Sequence, residues 1–288
     1  DTDSIYMMAE PLVKHRYPEY KTFDEKRMAV EVDNIATETQ TFLNSFYDLL
    51  AERFFFIPKD KHRFEIKKEY ISKAGFWVAK KRYAQWMILK NGIPCDKLDV
   101  KGLDVVRSSF PKAFQKFMST MLKDILMGKD NEYIDDTLLT FKKSLPTLPV
   151  NTIAKGGALK ELSKYDNGSW KTGDAVANFE KGTPAHVKAG ITYNRLLKFF
   201  NCPYKHEPIR DGDKVKWVYL KDNPLGLETV AFKDYNDPKE IMDFVETYVD
   251  RNKIFEAELE NKLDDFYNAL KWDKVTADTK TAKKFFAF

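Results

Sequence analysis

Between Asp24 and Phe54 neither proline nor glycine interrupts the chain, and Ile35, Phe42, Phe46, Leu49 and Leu50 recur on one face of a 3.6-residue period. That stretch predicts a long amphipathic helix. The period then changes. Arg63 to Ile71 and Phe76 to Ala84 read as two strands, and Ser72 to Gly75 joins them over a hairpin-like length. Ahead of the helix, Asp1 to Ala9 reads as a turn running into a short strand, with Ile5, Tyr6 and Met7 as its apolar part.

A boundary falls near Arg107 to Pro111, where Ser108 or Ser109 can cap a helix carrying Phe114, Phe117, Met118, Met121, Leu122 and Ile125. Gly128 ends that helix, and a second follows over Glu132 to Lys143. Pro146 to Gly182 is rich in Gly, Asn, Ser and Thr and predicts loops. A helix is expected from Pro184 to Phe200 and a strand at Val215, Trp217 and Tyr219. Two more helices carry Ile241, Phe244, Val245, Tyr248, Val249 and then Leu259, Leu263, Phe266, Tyr267, Leu270. From about Val275 the chain is rich in Thr, Lys and Ala until Phe285, Phe286 and Phe288. The whole predicts an α+β fold.

At 288 residues the chain is long enough for one large or two modest domains. No apolar run suggests a membrane span, and the opening residues do not resemble a signal peptide, so no membrane partner is expected. Cys95 and Cys202 are too far apart in sequence to form a ligand-like cluster and fit a reducing, cytoplasmic setting. Phenylalanines number 22 and tyrosines 14; this wealth, including Phe54 to Phe56 and Phe199-Phe200, is expected mainly in the core.

Position 1 is an Asp, so the chain reads as cut from a longer protein or as one half of a split one. Asp1-Thr2-Asp3-Ser4-Ile5-Tyr6 places two carboxylates around one small residue. Mg²⁺ is commonly held by one or two carboxylates plus substrate phosphates. Acidic pairs of this spacing are frequent by chance, and the spacing alone does not turn both toward a metal. The six-residue string, however, resembles motif C of family B DNA polymerases, a Tyr-Gly followed by Asp-Thr-Asp-Ser. Later strings resemble the same family, in order. Lys80-Lys81-Arg82-Tyr83 is similar to its Lys-x-Tyr motif, which meets the primer strand. Lys101-Gly102-Leu103-Asp104, Arg107-Ser108-Ser109 and Pro111-Lys112 resemble the palm-to-thumb junction. Thr183 to Gly190 with Thr192-Tyr193-Asn194-Arg195 resembles a thumb segment of the tailed-bacteriophage branch, and Phe285, Phe286 and Phe288 resemble the tail those polymerases insert into a sliding clamp.

The resemblance implies the end of an antiparallel palm sheet with a helix over 1–107, a largely helical thumb over 108–274, and a clamp-binding tail over 275–288. It implies DNA-directed nucleotidyl transfer, in which two Mg²⁺ ions stabilise the attacking and leaving oxygens. Asp3 is the residue expected to bind both metals, with Asp1 nearby and Glu69 at the place of a family acidic residue close to the site.

Charge is distributed in the way duplex binding requires. The whole chain carries +4, while residues 80–112 alone carry +5 and residues 180–216 carry +4. On the expected strand, Lys81 and Tyr83 share one face and Lys80 and Arg82 the other. A basic surface strand and a primer-contacting strand both fit. Arg107, Lys188 and Arg195 join the candidate DNA contacts; Lys155-Gly156-Gly157 reads either as a loop approaching a phosphate or as a plain turn. His186 and Lys188 lie near a helix start, a favourable place for a phosphate, although an ordinary surface histidine fits too.

Several family strings have no counterpart here: the other metal-binding carboxylate of the palm, the nucleotide-binding fingers helix and the acidic exonuclease cluster. The chain is therefore expected to need an N-terminal polymerase part, bind primer-template duplex and a sliding clamp, and act in the cytoplasm of a phage's host. A gene split, an intein site and a processing fragment all remain open for the break before Asp1, although an intein splice would leave Ser, Thr or Cys first. A rival reading is a non-catalytic module that binds duplex DNA and tethers a clamp.

Overall fold

The computed structural model describes residues 4–166, 179, 181–202 and 205–273. The chain forms two compact units, residues 1–101 and 102–288. Both mix helices with antiparallel sheet, an α+β fold.

In the first unit, α1 (Glu10–Arg16) precedes the long α2 (Glu25–Phe54). Asp24 caps α2 by accepting from the Arg27 N–H at 2.7 Å. Three strands follow, β1 (Tyr70–Ala79), β2 (Arg82–Lys90) and β3 (Ile93–Lys101), in the order β1-β2-β3. Ile5 to Met7 lie outside any strand, contrary to expectation.

The strand boundaries differ from those expected, for physical reasons. Residues 63–69 form no strand. They run alongside α2, whose side chains act as a surrogate edge: Asn44 exchanges two hydrogen bonds with the Ile66 backbone, at 2.8 and 3.0 Å, and Gln40 accepts from the Lys68 N–H at 2.7 Å. Strand β1 runs through Ser72 to Gly75, with register shifts around Ser72, and reverses only at Lys80-Lys81. Gly75 is there for room: a Cβ on it would lie 2.2 Å from the Trp77 ring, which folds over the same face two residues on. The reversal uses Lys81 at φ 63°, and the next uses Asn91 at φ 50° and Gly92 at φ 76°, both centre positions left-handed.

The second unit opens with α3 (Lys112–Leu126) and α4 (Asn131–Ser144). Pro111 is the N-cap residue of α3, and neither Ser108 nor Ser109 caps it. Phe117 stacks on Phe141 at 4.2 Å, and Phe114 meets Phe141 and Phe255 edge-on, so these aromatics are core as expected.

The expected loop over 146–182 contains short elements: α5 (Val150–Ile153), β4 (Lys155–Ala158) and α6 (Leu162–Tyr165). Then come α7 (Ala185–Phe199), β5 (Lys214–Tyr219), β6 (Thr229–Phe232) and α8 (Lys239–Tyr248). β4 and β6 flank β5 in an antiparallel sheet, and α7 packs on β6. Finally α9 (Arg251–Phe255) passes through a π-helical turn, Glu256–Glu260, into α10 (Asn261–Leu270).

Candidate nucleic-acid interface

In the first unit the Lys80-Lys81 pair forms the tip of the β1–β2 hairpin. The expected alternation of Lys81 with Tyr83 on one strand face therefore does not apply, because Lys81 belongs to the turn. Both lysines are exposed, and neither forms an ion pair among the described residues. Arg82 starts β2, and Tyr83 follows opposite Trp77 on β1 and Lys101 on β3.

Tyr6 packs at this end of the sheet. Its hydroxyl donates to the Tyr83 oxygen at 2.6 Å, and its ring meets those of Trp77 and Tyr83 at 5.5 and 5.4 Å, edge-on. Partial burial, and then the hydrogen bond with Tyr83, push the Tyr6 hydroxyl well above the usual tyrosine range. The sequence places Tyr6 in the apolar part of a strand and at the end of the motif C string, and neither reading predicts this contact. Its partner is 77 positions away, beyond the reach of local periodicity.

Glu69 is placed elsewhere. It is exposed, and it precedes Tyr70, which pairs with Lys90, whereas Trp77 pairs with Tyr83. At ~3.3 Å per residue the run of β1 from Tyr70 to Trp77 separates the two ends by roughly 20 Å. Among the described residues no group of three or more His, Cys, Asp and Glu could hold an ion. Asp1 and Asp3 lie outside the described residues, as do Phe285, Phe286 and Phe288.

In the second unit the fold brings together strings from three parts of the sequence. The Gly156 N–H donates to the Ser109 carbonyl at 2.9 Å, and a Cβ on Gly156 would lie 3.2 Å from the Ser109 Cα. A Cβ on Gly157 would lie 3.4 Å from the His186 Cβ. The junction segment, β4 and the start of α7 therefore converge. The tight approach that glycine permits at position 156 is made to protein backbone. Lys155-Gly156-Gly157 is strand, neither the loop nor the plain turn that the sequence suggested.

The cations here are mostly engaged. Lys155 pairs with Glu258 at 2.7 Å, and Glu258, only 4% exposed, also holds Lys262 at 3.3 Å. Arg195 is buried and pairs with Asp166 at 2.8 Å. Its neighbours in the Thr-Tyr-Asn-Arg string are structural too: Tyr193 is fully buried, and Asn194 exchanges two hydrogen bonds with the Ile209 backbone. Lys188 pairs with Glu228 at 3.2 Å. Arg107 pairs with Asp104 at 2.8 Å yet keeps an exposed side chain. Burial, and then the charge of Lys155, hold His186 below the usual histidine range, so it is neutral at neutral pH.

The chain is 25% identical over 279 residues to the DNA-directed DNA polymerase of Enterobacteria phage T4, a match covering 89% of this chain and 28% of the phage protein. It is 25% identical over 287 residues to the DNA-directed DNA polymerase of Escherichia phage RB69, covering 95% of this chain and 30% of that protein. The chain thus spans less than a third of the length of these relatives. Residues 57–264, the whole β1–β2–β3 sheet and nearly all of the second unit's described part, match the sequence model of DNA polymerase family B, and the chain belongs to that family.

Proposed function

We propose that this chain is the C-terminal portion of a DNA-directed DNA polymerase, contributing motif C carboxylates to nucleotidyl transfer and gripping the primer-template duplex. The observation that carries the reading is the Tyr6–Tyr83 hydrogen bond. It joins the chain just after Asp1-Thr2-Asp3-Ser4 to the hairpin bearing Lys80, Lys81 and Arg82. Three residue steps lead from Asp3 to Tyr6, a reach of at most ~11 Å. Carboxylates that organise the reaction and cations that meet the primer belong this close together in a polymerase.

In this reading residues 1–107 are the end of the palm, 108–274 the thumb and 275–288 a clamp-binding tail. Two Mg²⁺ ions, shared with the N-terminal part, would stabilise the attacking and leaving oxygens. Asp3 is the principal ligand, Asp1 adds negative charge, and Glu69 is a further acidic candidate for the site. Lys80, Lys81, Arg82 and Tyr83 meet the primer, and Arg107 with the surface around Gly157 and His186 meets duplex phosphates. Lys155, Lys188 and Arg195 act mainly by shaping that surface, because their charges are engaged by Glu258, Glu228 and Asp166. The setting is the cytoplasm of a phage-infected host, and no described helix is long and apolar enough to cross a membrane.

The test is primer extension by this chain combined with the complementary N-terminal portion. Asp3→Ala is expected to lower extension by about 10³-fold or more, the scale of losing several kcal/mol of metal-mediated stabilisation. Duplex binding should be unchanged in the same variant. Full extension with Asp3→Ala would instead favour the non-catalytic module that binds duplex and tethers a clamp.

A further inference from the structure

The aromatic cluster at the end of the first unit's sheet differs from that unit's other exposed rings. Phe54 is 71% and Phe56 87% exposed, against the expectation that they are core, and a phenylalanine has no polar atom to aim. Tyr6, Trp77 and Tyr83 each have one. Trp77 pairs with Tyr83 across β1 and β2, and their rings stack at 6.2 Å. Tyr6 joins them from outside the sheet, edge-on to both. Gly75 leaves room for the Trp77 ring, so the aromatic wall beside Tyr83 is built into the strand.

Two hydroxyls that share one hydrogen bond use only one of their two protons. Tyr6 donates to Tyr83, so the Tyr83 proton is left over, and among the described residues no acceptor takes it. A phenolic proton has two in-plane orientations. The bond from Tyr6 occupies one side of the Tyr83 oxygen and leaves the other for the Tyr83 proton. A hydroxyl that accepts one hydrogen bond is also polarised to donate a stronger one. At the same end of the sheet stand the exposed Lys80 and Lys81, followed by Arg82. A donor hydroxyl among cations suits the acceptor oxygens of a nucleic acid.

We infer that Tyr6 is a positioning residue whose hydroxyl fixes the Tyr83 phenol so that the Tyr83 proton is presented to the primer end. The inference rests on the polymerase reading above and adds to it a residue that acts through Tyr83 alone. Tyr6 stands three residue steps after Asp3, so the primer end held this way lies beside the carboxylate string. A slack Tyr83 leaves the duplex bound and misplaces the primer hydroxyl, and the loss falls on the chemical step.

The test is single-turnover primer extension by this chain with the N-terminal polymerase portion, over a range of nucleotide concentrations. Tyr6→Phe keeps the ring contacts and removes the hydroxyl. It is expected to lower the maximal rate roughly fivefold, the scale of one hydrogen bond. The half-saturating nucleotide concentration, duplex affinity and thermal unfolding should stay as in the wild type. Tyr83→Phe should lower the maximal rate at least as far, and adding Tyr6→Phe to it should change nothing more. Extension that depends on Asp3 and is untouched by Tyr6→Phe overturns the inference. So does a Tyr6→Phe loss that persists in the Tyr83→Phe background, since Tyr6 would then meet the DNA itself. Lower thermal stability and weaker duplex binding in step with the rate overturn it too, because Tyr6 would then be structural only. Extension that survives Asp3→Ala, or none by the wild-type pair, sinks the polymerase reading and the inference with it, and the Asp3→Ala control separates that failure from the others.

Discussion

Two sets of cations, at the tip of the β1–β2 hairpin and around β4 and α7, hold their charge in opposite ways. At the tip of the β1–β2 hairpin, Lys80 and Lys81 project without an ion pair among the described residues. Around β4 and α7, Lys155, Lys188, Arg195 and Lys216 are tied to Glu258, Glu228, Asp166 and Asp234. Counting charges makes the two sets look alike. An exposed lysine without a partner can exchange its counterions for a phosphate at little cost, whereas a cation buried against a carboxylate must first break a structural bond. The hairpin cations are thus available for binding, and those of the second unit hold the surface in shape.

The largest expected effect tests the engaged half. Glu258→Ala leaves Lys155 and Lys262 facing a carboxylate that is gone, next to a buried site, and should cost about 3 kcal/mol. In thermal unfolding that corresponds to a drop of about 6–10 °C. Lys155→Met should cost less, because Glu258 keeps Lys262. The comparison breaks if Lys155→Met leaves stability intact and weakens duplex binding, since Lys155 would then be a phosphate contact after all.

The hairpin is expected to give the reverse pattern. Lys80→Ala with Lys81→Asn keeps a residue type that tolerates the left-handed position at 81. Stability should shift by no more than about 0.5 kcal/mol. Duplex affinity should fall roughly tenfold, with the slope of log affinity against log salt reduced by about 2. Unfolding and DNA titrations on one preparation decide it. An unchanged salt slope would remove the hairpin from the interface.

Much of the fold was legible because helices announce themselves locally. The run from Asp24 to Phe54 without Gly or Pro and the Phe114 to Ile125 spacing each fall within or beside one element. The strands were misjudged where a residue served a distant or cross-face purpose. Gly75 looked like a turn residue, yet it makes room for Trp77. Asn91-Gly92 is a strong hairpin signal, and it opens β3, a strand that alternation of apolar residues does not predict. The candidate site divides along the same line. Lys80 to Tyr83 could be picked out from a short string. That Lys155 belongs to Glu258, 103 positions away, and Tyr83 to Tyr6, 77 away, could not. A residue's type states which bonds it is able to make, and only the fold says which of them are already made.

The smallest effect follows from that difference and sharpens it. His186 is held below its ordinary value of 6.5 by burial and then by Lys155. The folded protein therefore resists a proton that the unfolded chain accepts. Stability from this group is complete above the unfolded value and is lost as pH falls from about 6.5 toward the lower folded value. The linkage is expected to be small, because the site is only partly buried. Comparing unfolding at about pH 7.5 and about pH 5.5, His186→Gln should lose less stability on acidification than the wild type. Lys155→Met should fall between them, since it removes the second cause and leaves the first. An equal loss in all three proteins would mean that His186 takes up its proton in the folded protein as it does in the unfolded chain, whereas Lys155→Met matching the wild type alone would mean that Lys155 does not act on it.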